Sequence, residues 1–182
     1  MARLRTIDQT SVLDAAETVI VENGAANLTL DAVAACAGIS KGSVLRDYAS
    51  KHDLIRAIVQ RRFGEYQAML DTAEQQTPTR IAAHIEVAAQ PWSNDQRTAA
   101  SNLCSSMAND GELMSIIASH YEREFAAVAA DSDGRGPLMA FLALEGLRSI
   151  EMFGRYNFKT EDREAILRAI SKISETHISN VD

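Results

Sequence analysis

Apolar residues recur every three or four positions through most of the chain, which is the spacing of one face of an α-helix. Val12, Ala16 and Ile20 show this spacing first, within residues 8–23. No segment shows the alternation of apolar and polar residues that is typical of a strand. The spacing predicts further helices near 30–36, 41–47, 51–74, 94–107, 112–129 and 137–153, one that starts at Pro78 after Thr77, and a last one capped by Thr160. The pattern therefore predicts an all-α chain of about nine helices.

Capping residues define the two shortest helices. Thr29 is suited to cap the helix near 30–36 and Ser40 the helix near 41–47, because their hydroxyl oxygens can accept hydrogen bonds from free N–H groups of a first turn. Gly38 stands between them, where a glycine in the left-handed conformation commonly ends a helix. Two short helices joined by such a turn form a helix-turn-helix, whose second helix enters the major groove of DNA.

A long helix over 51–74 follows, capped by Ser50 with Asp53 in the capping-box position. Its length predicts one rigid connection between a head, residues 1–50, and a helical body, residues 51–182. We expect the head to bind DNA and the body to bind an effector and to dimerise.

The helix over 137–153 is apolar on most sides, so we expect it to pack on the core of its own chain and also on a second subunit. Among its apolar positions and those of the last helix, Leu147 and Ile170 are taken as outward-facing. The predicted dimer interface comprises Leu138, Leu142, Leu147, Ile150, Ile166, Ile170 and Ile173.

The sequence of the head resembles the TetR family of transcriptional repressors, whose pattern runs roughly TT-x3-IA-x2-AGVS-x-G-x-LY-x-HF-x2-K-x2-L. The residues that match it, identically or conservatively, are Thr29, Val33, Ala34, Ala37, Gly38, Ile39, Ser40, Gly42, Tyr48, Lys51 and Leu54. The resemblance covers the first third of the chain and implies a homodimer that binds a palindromic operator and a small effector. Leu45, Arg46 and Asp47 stand where the family usually has tyrosines and a histidine that touch phosphates.

Charge is unevenly distributed along the chain, whose formal net charge is −7. Residues 1–62 carry 8 Lys and Arg against 7 Asp and Glu, and residues 63–182 carry 10 against 18. An acidic body beside a nearly neutral head suits a DNA-reading head on a regulatory body. With few cations in the head, operator affinity should be modest and salt-sensitive.

Lys41, Arg46 and Lys51 are the predicted cationic contacts to phosphates or bases. Hydroxyls and backbone N–H groups at helix starts also bind phosphate, and a glycine allows a close backbone approach. The predicted DNA-binding residues therefore also include Thr29, Ser40, Gly42 and Ser43. Arg3 and Arg5 belong either to a tail without function or to an arm that touches phosphate.

Aromatic and methionine side chains of the body are predicted to line the effector site, with plain core packing as the alternative for each. They are Tyr66, Trp92, Met107, Met114, Tyr121, Phe125 and Phe141, together with His84 as a polar member. Glu145 and Arg148 would also make such a site polar, or else form an ion pair at a helix edge or dimer rim. These side chains favour a small, largely apolar effector.

Other chemistries find no support in the sequence. Cys36 and Cys104 are far apart, the four histidines lack metal-ligand spacing, and no GxSxG motif is present. We therefore predict no enzymatic activity, cofactor or metal. The N-terminus has no apolar signal core and no segment is long enough to span a membrane, so a cytoplasmic protein is expected.

These patterns predict a DNA-binding protein with a regulatory body, and the resemblance implies a transcriptional repressor relieved by its effector. Two alternatives stay open. One is a helix-turn-helix protein that binds DNA without an inducer. The other is a helical binding or enzymatic protein whose head has lost DNA binding.

Overall fold

The computed structural model describes residues 9–107, 110–131 and 134–176, except for the side chains of 106 and 107. Within these ranges it contains nine α-helices and one short 3-10 turn, Ala25–Asn27, and no strand. The helices are α1 Gln9–Asn23, α2 Leu30–Ala37, α3 Lys41–Asp47, α4 Lys51–Glu74, α5 Arg80–Ala89, α6 Asn94–Met107, α7 Gly111–Ala130, α8 Gly136–Met152 and α9 Thr160–Ser174. The predicted all-α architecture is confirmed.

The predicted caps of two helices are wrong. α5 begins at Arg80, because the hydroxyl of Thr79 accepts a hydrogen bond from the Ala82 N–H at 3.2 Å. The Thr77 hydroxyl is not a cap, since it donates to the Ala73 carbonyl at the end of α4 instead. α9 starts one residue before the prediction: Thr160 lies inside its first turn, and Lys159 precedes it without a side-chain cap.

The chain divides into two compact units. One contains residues 1–62 and 98–113, and the other contains residues 63–97 and 114–182. In the first unit, α1 packs against α2 and α2 against α3. Its fully buried apolar side chains include Val12, Ile20, Val33, Val44, Leu54 and Ile58.

The core of the second unit is formed by α5, α7, α8 and α9. Ile81, Val128, Phe141, Leu144 and Leu167 are among its buried members. The start of α8 lies so close to the end of α9 that a Cβ on Gly136 would stand 2.7 Å from the Ile173 carbonyl oxygen, and closer still to that of Thr176. Only glycine fits at this contact.

Leu147 and Ile170 do not face outward as predicted, since they are only 4% and 3% exposed and pack in the core of their own chain. α8 is apolar on most sides and gives no sequence signal for which face is inside, so Leu147 was assigned to the wrong side. Ile170 belongs to the apolar stripe of α9, and that stripe packs on the core of its own chain. The exposed apolar face of α8 instead presents Met139, Leu142 and Ile150. The histidine of the predicted last stripe, His177, lies outside the described residues.

None of the helices in the described ranges combines the length and the apolar character that crossing a membrane requires.

Candidate functional site

The turn between α2 and α3 has the predicted geometry. The Thr29 hydroxyl accepts a hydrogen bond from the Ala32 N–H, and the Ser40 hydroxyl accepts one from the Ser43 N–H, both at 3.1 Å. Between these caps, Gly38 has a φ of 65°, in the left-handed region, and its N–H bonds back to carbonyls of α2. Two capped helices are thus joined by a glycine turn, and one side of α3 is left free.

Polar residues of α3 share that free side with Leu45, which is 43% exposed. Val44 is fully buried and Tyr48 nearly so, while Lys41, Gly42 and Arg46 are exposed. A Cβ on Gly42 would meet only the Ser40 hydroxyl, at 3.8 Å, so the backbone is open to an approaching surface there.

Each of the three predicted cationic contacts has a partner within the chain. Lys41 donates to the Asp31 carboxylate of α2 at 2.8 Å, and Arg46 makes two bonds of 3.2 Å to its neighbour Asp47. The Lys51 ammonium donates to the Ala26 carbonyl at 2.8 Å, which ties the start of α4 to the 3-10 turn. The Lys41 and Arg46 side chains stay more than half exposed, so phosphate can compete for them.

The start of α4 is also tied to the start of α7. Asp110 caps α7 by accepting the Glu112 and Leu113 N–H groups, and its other oxygen lies 2.7 Å from the Nε2 atom of His52. One turn further along α4, Arg56 donates to Glu112 at 2.7 Å. These contacts hold the start of α4, which lies a few residues beyond the end of α3.

A buried polar network forms the second candidate site, in the body. At its centre Glu124 of α7, 3% exposed, accepts two hydrogen bonds from Arg80, at 2.9 and 3.0 Å, and one from His84 Nε2 at 3.0 Å. Burial alone would raise the pKa of Glu124, but the His84 and Arg80 bonds outweigh it and hold the pKa at about 2. The carboxylate is therefore ionised throughout the physiological range.

Tyr66 of α4 continues the network. With His84 donating from Nε2 to Glu124, its Nδ1 atom accepts the Tyr66 hydroxyl proton at 2.7 Å. The Tyr66 oxygen in turn accepts from Arg148 of α8 at 2.5 Å, and the guanidinium carbon lies 4.3 Å from the Tyr66 ring centroid. Burial raises the pKa of Tyr66 to about 12, so its hydroxyl keeps its proton and the chain of donors is consistent from Arg148 to Glu124.

The outer end of the network is partly exposed. Arg148 also pairs with Glu145 at 3.2 Å, and the other Glu145 oxygen accepts the Tyr121 hydroxyl at 2.8 Å. The Arg148 guanidinium lies 5.9 Å from the ring of Trp92. The side chains of Arg148 and Glu145 are 14% and 22% exposed, against 0% for His84.

His120 borders the network without a hydrogen bond to any described residue. Its ring stacks on Phe63 at 4.3 Å and meets the rings of Tyr66 and Tyr121 edge-on at 6.2 and 5.7 Å. It is 6% exposed, and burial lowers its pKa. A neutral imidazole offers one donor and one acceptor, both of which are free for a ligand here.

The structure brings most of the predicted effector residues together. Tyr66, His84, Trp92 and Tyr121 belong to the network or border it, and Phe125 and Phe141 pack beside it with ring centroids 5.1 Å apart. Met114 is 46% exposed and makes no described contact with this group, and the Met107 side chain lies outside the described part of the chain.

Two members of the network, Arg80 and Glu124, and the neighbouring His120 were missed in the sequence. A signal was present, because Arg80 with His84 and His120 with Glu124 are spaced four apart, which places each pair on one helix face. Among the described residues, no group of three or more His, Cys, Asp or Glu side chains is placed to hold a metal ion.

Comparisons with known proteins agree with this arrangement. The family model described as bacterial regulatory proteins, tetR family, matches residues 12–58, and the tetracyclin repressor-like C-terminal domain matches residues 78–175. A search of curated proteins found no match.

Similar solved structures share the fold over almost the whole chain. A transcriptional regulator from Streptomyces coelicolor A3(2) is 18% identical with a TM-score of 0.72, over 92% of this chain and 98% of its own. A TetR-family regulator from Rhodococcus sp. is 19% identical with a TM-score of 0.71, over 91% and 98%. The multidrug binding protein EbrR, complexed with malachite green, is 18% identical with a TM-score of 0.72, over 91% and 96%.

Proposed function

The chain belongs to the TetR family of bacterial regulatory proteins, and from this premise we propose that it represses transcription from a palindromic operator and is released by a small molecule. As a DNA-binding repressor it would act in the cytoplasm. The head, residues 1–50, would bind DNA, and residues 51–182 would bind the effector and form the dimer.

The observation that carries the proposal is the capped α2–α3 pair with the polar side of α3 exposed. Lys41 and Arg46 lie on that side and would bind phosphate or base edges after leaving Asp31 and Asp47. Since two carboxylates compete with the DNA for these cations, binding should be modest and should weaken as salt rises.

Dimerisation would use the exposed apolar face of α8. Met139, Leu142 and Ile150 are 49%, 57% and 36% exposed, and Gly146 lies between them with open space around its Cα. A glycine among such residues allows a second helix to approach closely. The partly exposed Leu138, Ile166 and Ile173 would lie beside this face, with Leu147 and Ile170 supporting it from the core.

Effector binding is proposed at the network around Tyr66 and Arg148. EbrR, which shares the fold, is named a multidrug binding protein and has been crystallised with ethidium and with malachite green. In this chain the aromatic rings beside Arg148 offer a comparable setting for a planar molecule.

Electrophoretic mobility shift with the DNA upstream of the chain's own gene tests the DNA-binding part. Lys41→Ala and Arg46→Ala should each weaken the complex. If Lys41 touches only phosphate, its loss should act equally on all sequences and lower the salt slope by roughly 1. If Arg46 reads a guanine, its loss should cost about 1–3 kcal/mol and relax specificity at one base pair. Unchanged affinity in both variants would contradict the assignment of α3.

Release by an effector requires reciprocal coupling. A compound that weakens DNA binding must bind more weakly to the DNA-bound dimer, by the same factor, which is typically about 5–150-fold. Calorimetry of a bound compound with and without operator DNA measures this factor. Equal affinities in both titrations would favour the regulator that binds DNA without an inducer.

A further inference from the structure

We infer that the effector is a planar, largely apolar molecule with a single carboxylate or similar anionic group, which is bound by the guanidinium of Arg148 between Tyr66 and Trp92. This inference rests on the proposed function, because it specifies the ligand of the proposed effector site. It adds the charge of the ligand and the residue that binds that charge.

Arg148 has hydrogen-bonding capacity that the protein does not use. A guanidinium carries five N–H donors in one plane. The Nη1 atom serves Tyr66 and Glu145, whereas Nε and Nη2 donate to no residue in the described part of the chain. These two nitrogens match the two oxygens of a carboxylate, and the Arg148 side chain keeps 14% of its surface exposed.

The carboxylates of the network, by contrast, are already bound. Glu124 accepts hydrogen bonds from Arg80 and His84, and both oxygens of Glu145 are taken by Tyr121 and Arg148. A cationic ligand would have to share these oxygens with donors that already bind them. An anionic ligand needs only to fill donors that are free, which makes it the better fit.

The surfaces beside Arg148 favour a flat molecule. The guanidinium carbon lies 4.3 Å from the centroid of the Tyr66 ring and 5.9 Å from that of the half-buried Trp92 ring. His120 contacts the edge of Tyr66 and offers a second, buried hydrogen-bonding group without a described partner. A ligand that bears a hydroxyl or carbonyl besides its anionic group would use this imidazole.

The negative charge of the body limits the ligand to one charge. Residues 63–182 carry 10 Lys and Arg against 18 Asp and Glu. At physiological salt, charges beyond about 8 Å are largely screened, so Arg148 dominates for an anion in contact with it. A second anionic group would meet Glu145 and the acidic surroundings without a cation of its own.

Three probes with the same ring system and different charge test the inference by calorimetry on the full-length dimer: 1-naphthoate, 1-naphthamide and 1-naphthamidine. We expect naphthoate to bind at least about 10-fold more tightly than the neutral amide or the cationic amidine, because hydrogen bonds to a charged group are the strong ones. Equal or tighter binding of the amide or amidine would overturn the inference, and so would absence of naphthoate binding at millimolar concentration.

Two variants with opposite effects make the test specific. Arg148→Met should reduce naphthoate binding about 10- to 100-fold while changing the amide about twofold or less. Glu145→Gln removes a carboxylate that competes with naphthoate for Arg148, so it should strengthen naphthoate binding. If the site instead bound cations, the same substitution would weaken naphthamidine binding. Arg123→Met, which removes an exposed charge from α7, is the matched control and should change naphthoate binding less than about twofold. If Arg148→Met fails to fold by its melting curve, the sign of the Glu145→Gln effect decides.

Operator release is measured separately, so the two proposals can fail independently. Tight naphthoate binding that leaves the operator complex intact supports the ligand class and contradicts release by this site. Preferential binding of naphthamidine that releases the operator contradicts the ligand class and supports the proposed function.

Discussion

Replacing Glu124 by glutamine tests the buried network at its centre. The side chain is 3% exposed, and it accepts hydrogen bonds from Arg80 and His84. Glutamine keeps the size and one acceptor oxygen but loses the charge. It leaves the Arg80 guanidinium with two more exposed carboxylates, Glu74 at 2.9 Å and Asp71 at 4.0 Å.

The lowered pKa of Glu124 sets the size of the effect. The pKa of this carboxyl is 4.5 in the unfolded chain and about 2 in the folded chain. Above pH 4.5 the difference contributes about 3 kcal/mol to the free energy of unfolding. That contribution is lost as the pH falls from 4.5 through 2, because the unfolded chain takes up the proton first. The difference in unfolding free energy between wild type and Glu124→Gln should therefore be largest at pH 7 and about 1 kcal/mol smaller at pH 3.5.

Urea unfolding at pH 7, 4.5 and 3.5 measures this difference, at one protein concentration because the stability of a dimer depends on concentration. Glu122→Gln, at an exposed position of the same helix, is the matched control and should change stability by less than about 0.5 kcal/mol. A Glu124→Gln variant as stable as wild type at pH 7, or a difference that does not shrink in acid, would refute the assignment of Glu124 as the ionised centre.

Two further predictions concern the dimer and the core. Leu142→Glu should weaken dimerisation at least about 30-fold, or about 2 kcal/mol, because a buried charge would have no partner. Light scattering at micromolar concentration should show monomers for this variant and dimers for wild type and for Ala126→Glu, and a wild-type monomer would contradict the interface. Arg163→Met should cost about 3–5 kcal/mol in urea unfolding, because Arg163 binds the Glu151 carboxylate and the Ala88 carbonyl, both at 2.7 Å. Adding Glu151→Met should restore part of that loss, and a double variant less stable than the single one would exclude this explanation.

The helices and the head could be predicted because their signals are local. Thr29, Gly38 and Ser40 act on residues within one turn, so their sequence order specifies the caps and the turn that the structure shows. The start of α5 was predicted wrongly at Pro78, because Thr79 caps the helix and Thr77 does not. The choice between them depends on Thr77 bonding back to α4, which the sequence does not reveal.

The network could be predicted only in part because it is assembled from four helices. Tyr66, His84 and Tyr121 were identified as aromatic or polar residues among apolar ones. In the sequence Arg80 and Glu124 look like ordinary solvated charges. They are 44 positions apart, and nothing in the sequence shows that they pair. Charged residues in otherwise apolar helix faces at a spacing of four are the signal that would have identified them.

The same network suggests how ligand binding reaches the head. Tyr66 belongs to α4, the helix that begins beside α3 and is tied to α7 through Arg56 and Glu112. In the proposed complex a carboxylate on the Nε and Nη2 edge would share the guanidinium with Glu145 and the Tyr66 hydroxyl, and could thereby shift the Arg148 contact with α4. A ligand can shift the equilibrium between two arrangements of α4 by no more than the difference between its affinities for them. In a dimer whose recognition helices enter successive major grooves about 34 Å apart, a small change in their separation would cost one half-site. Tyr66→Phe keeps the ring and removes the hydroxyl, so in this mechanism it should reduce release of the operator by a bound ligand more than it reduces binding of that ligand.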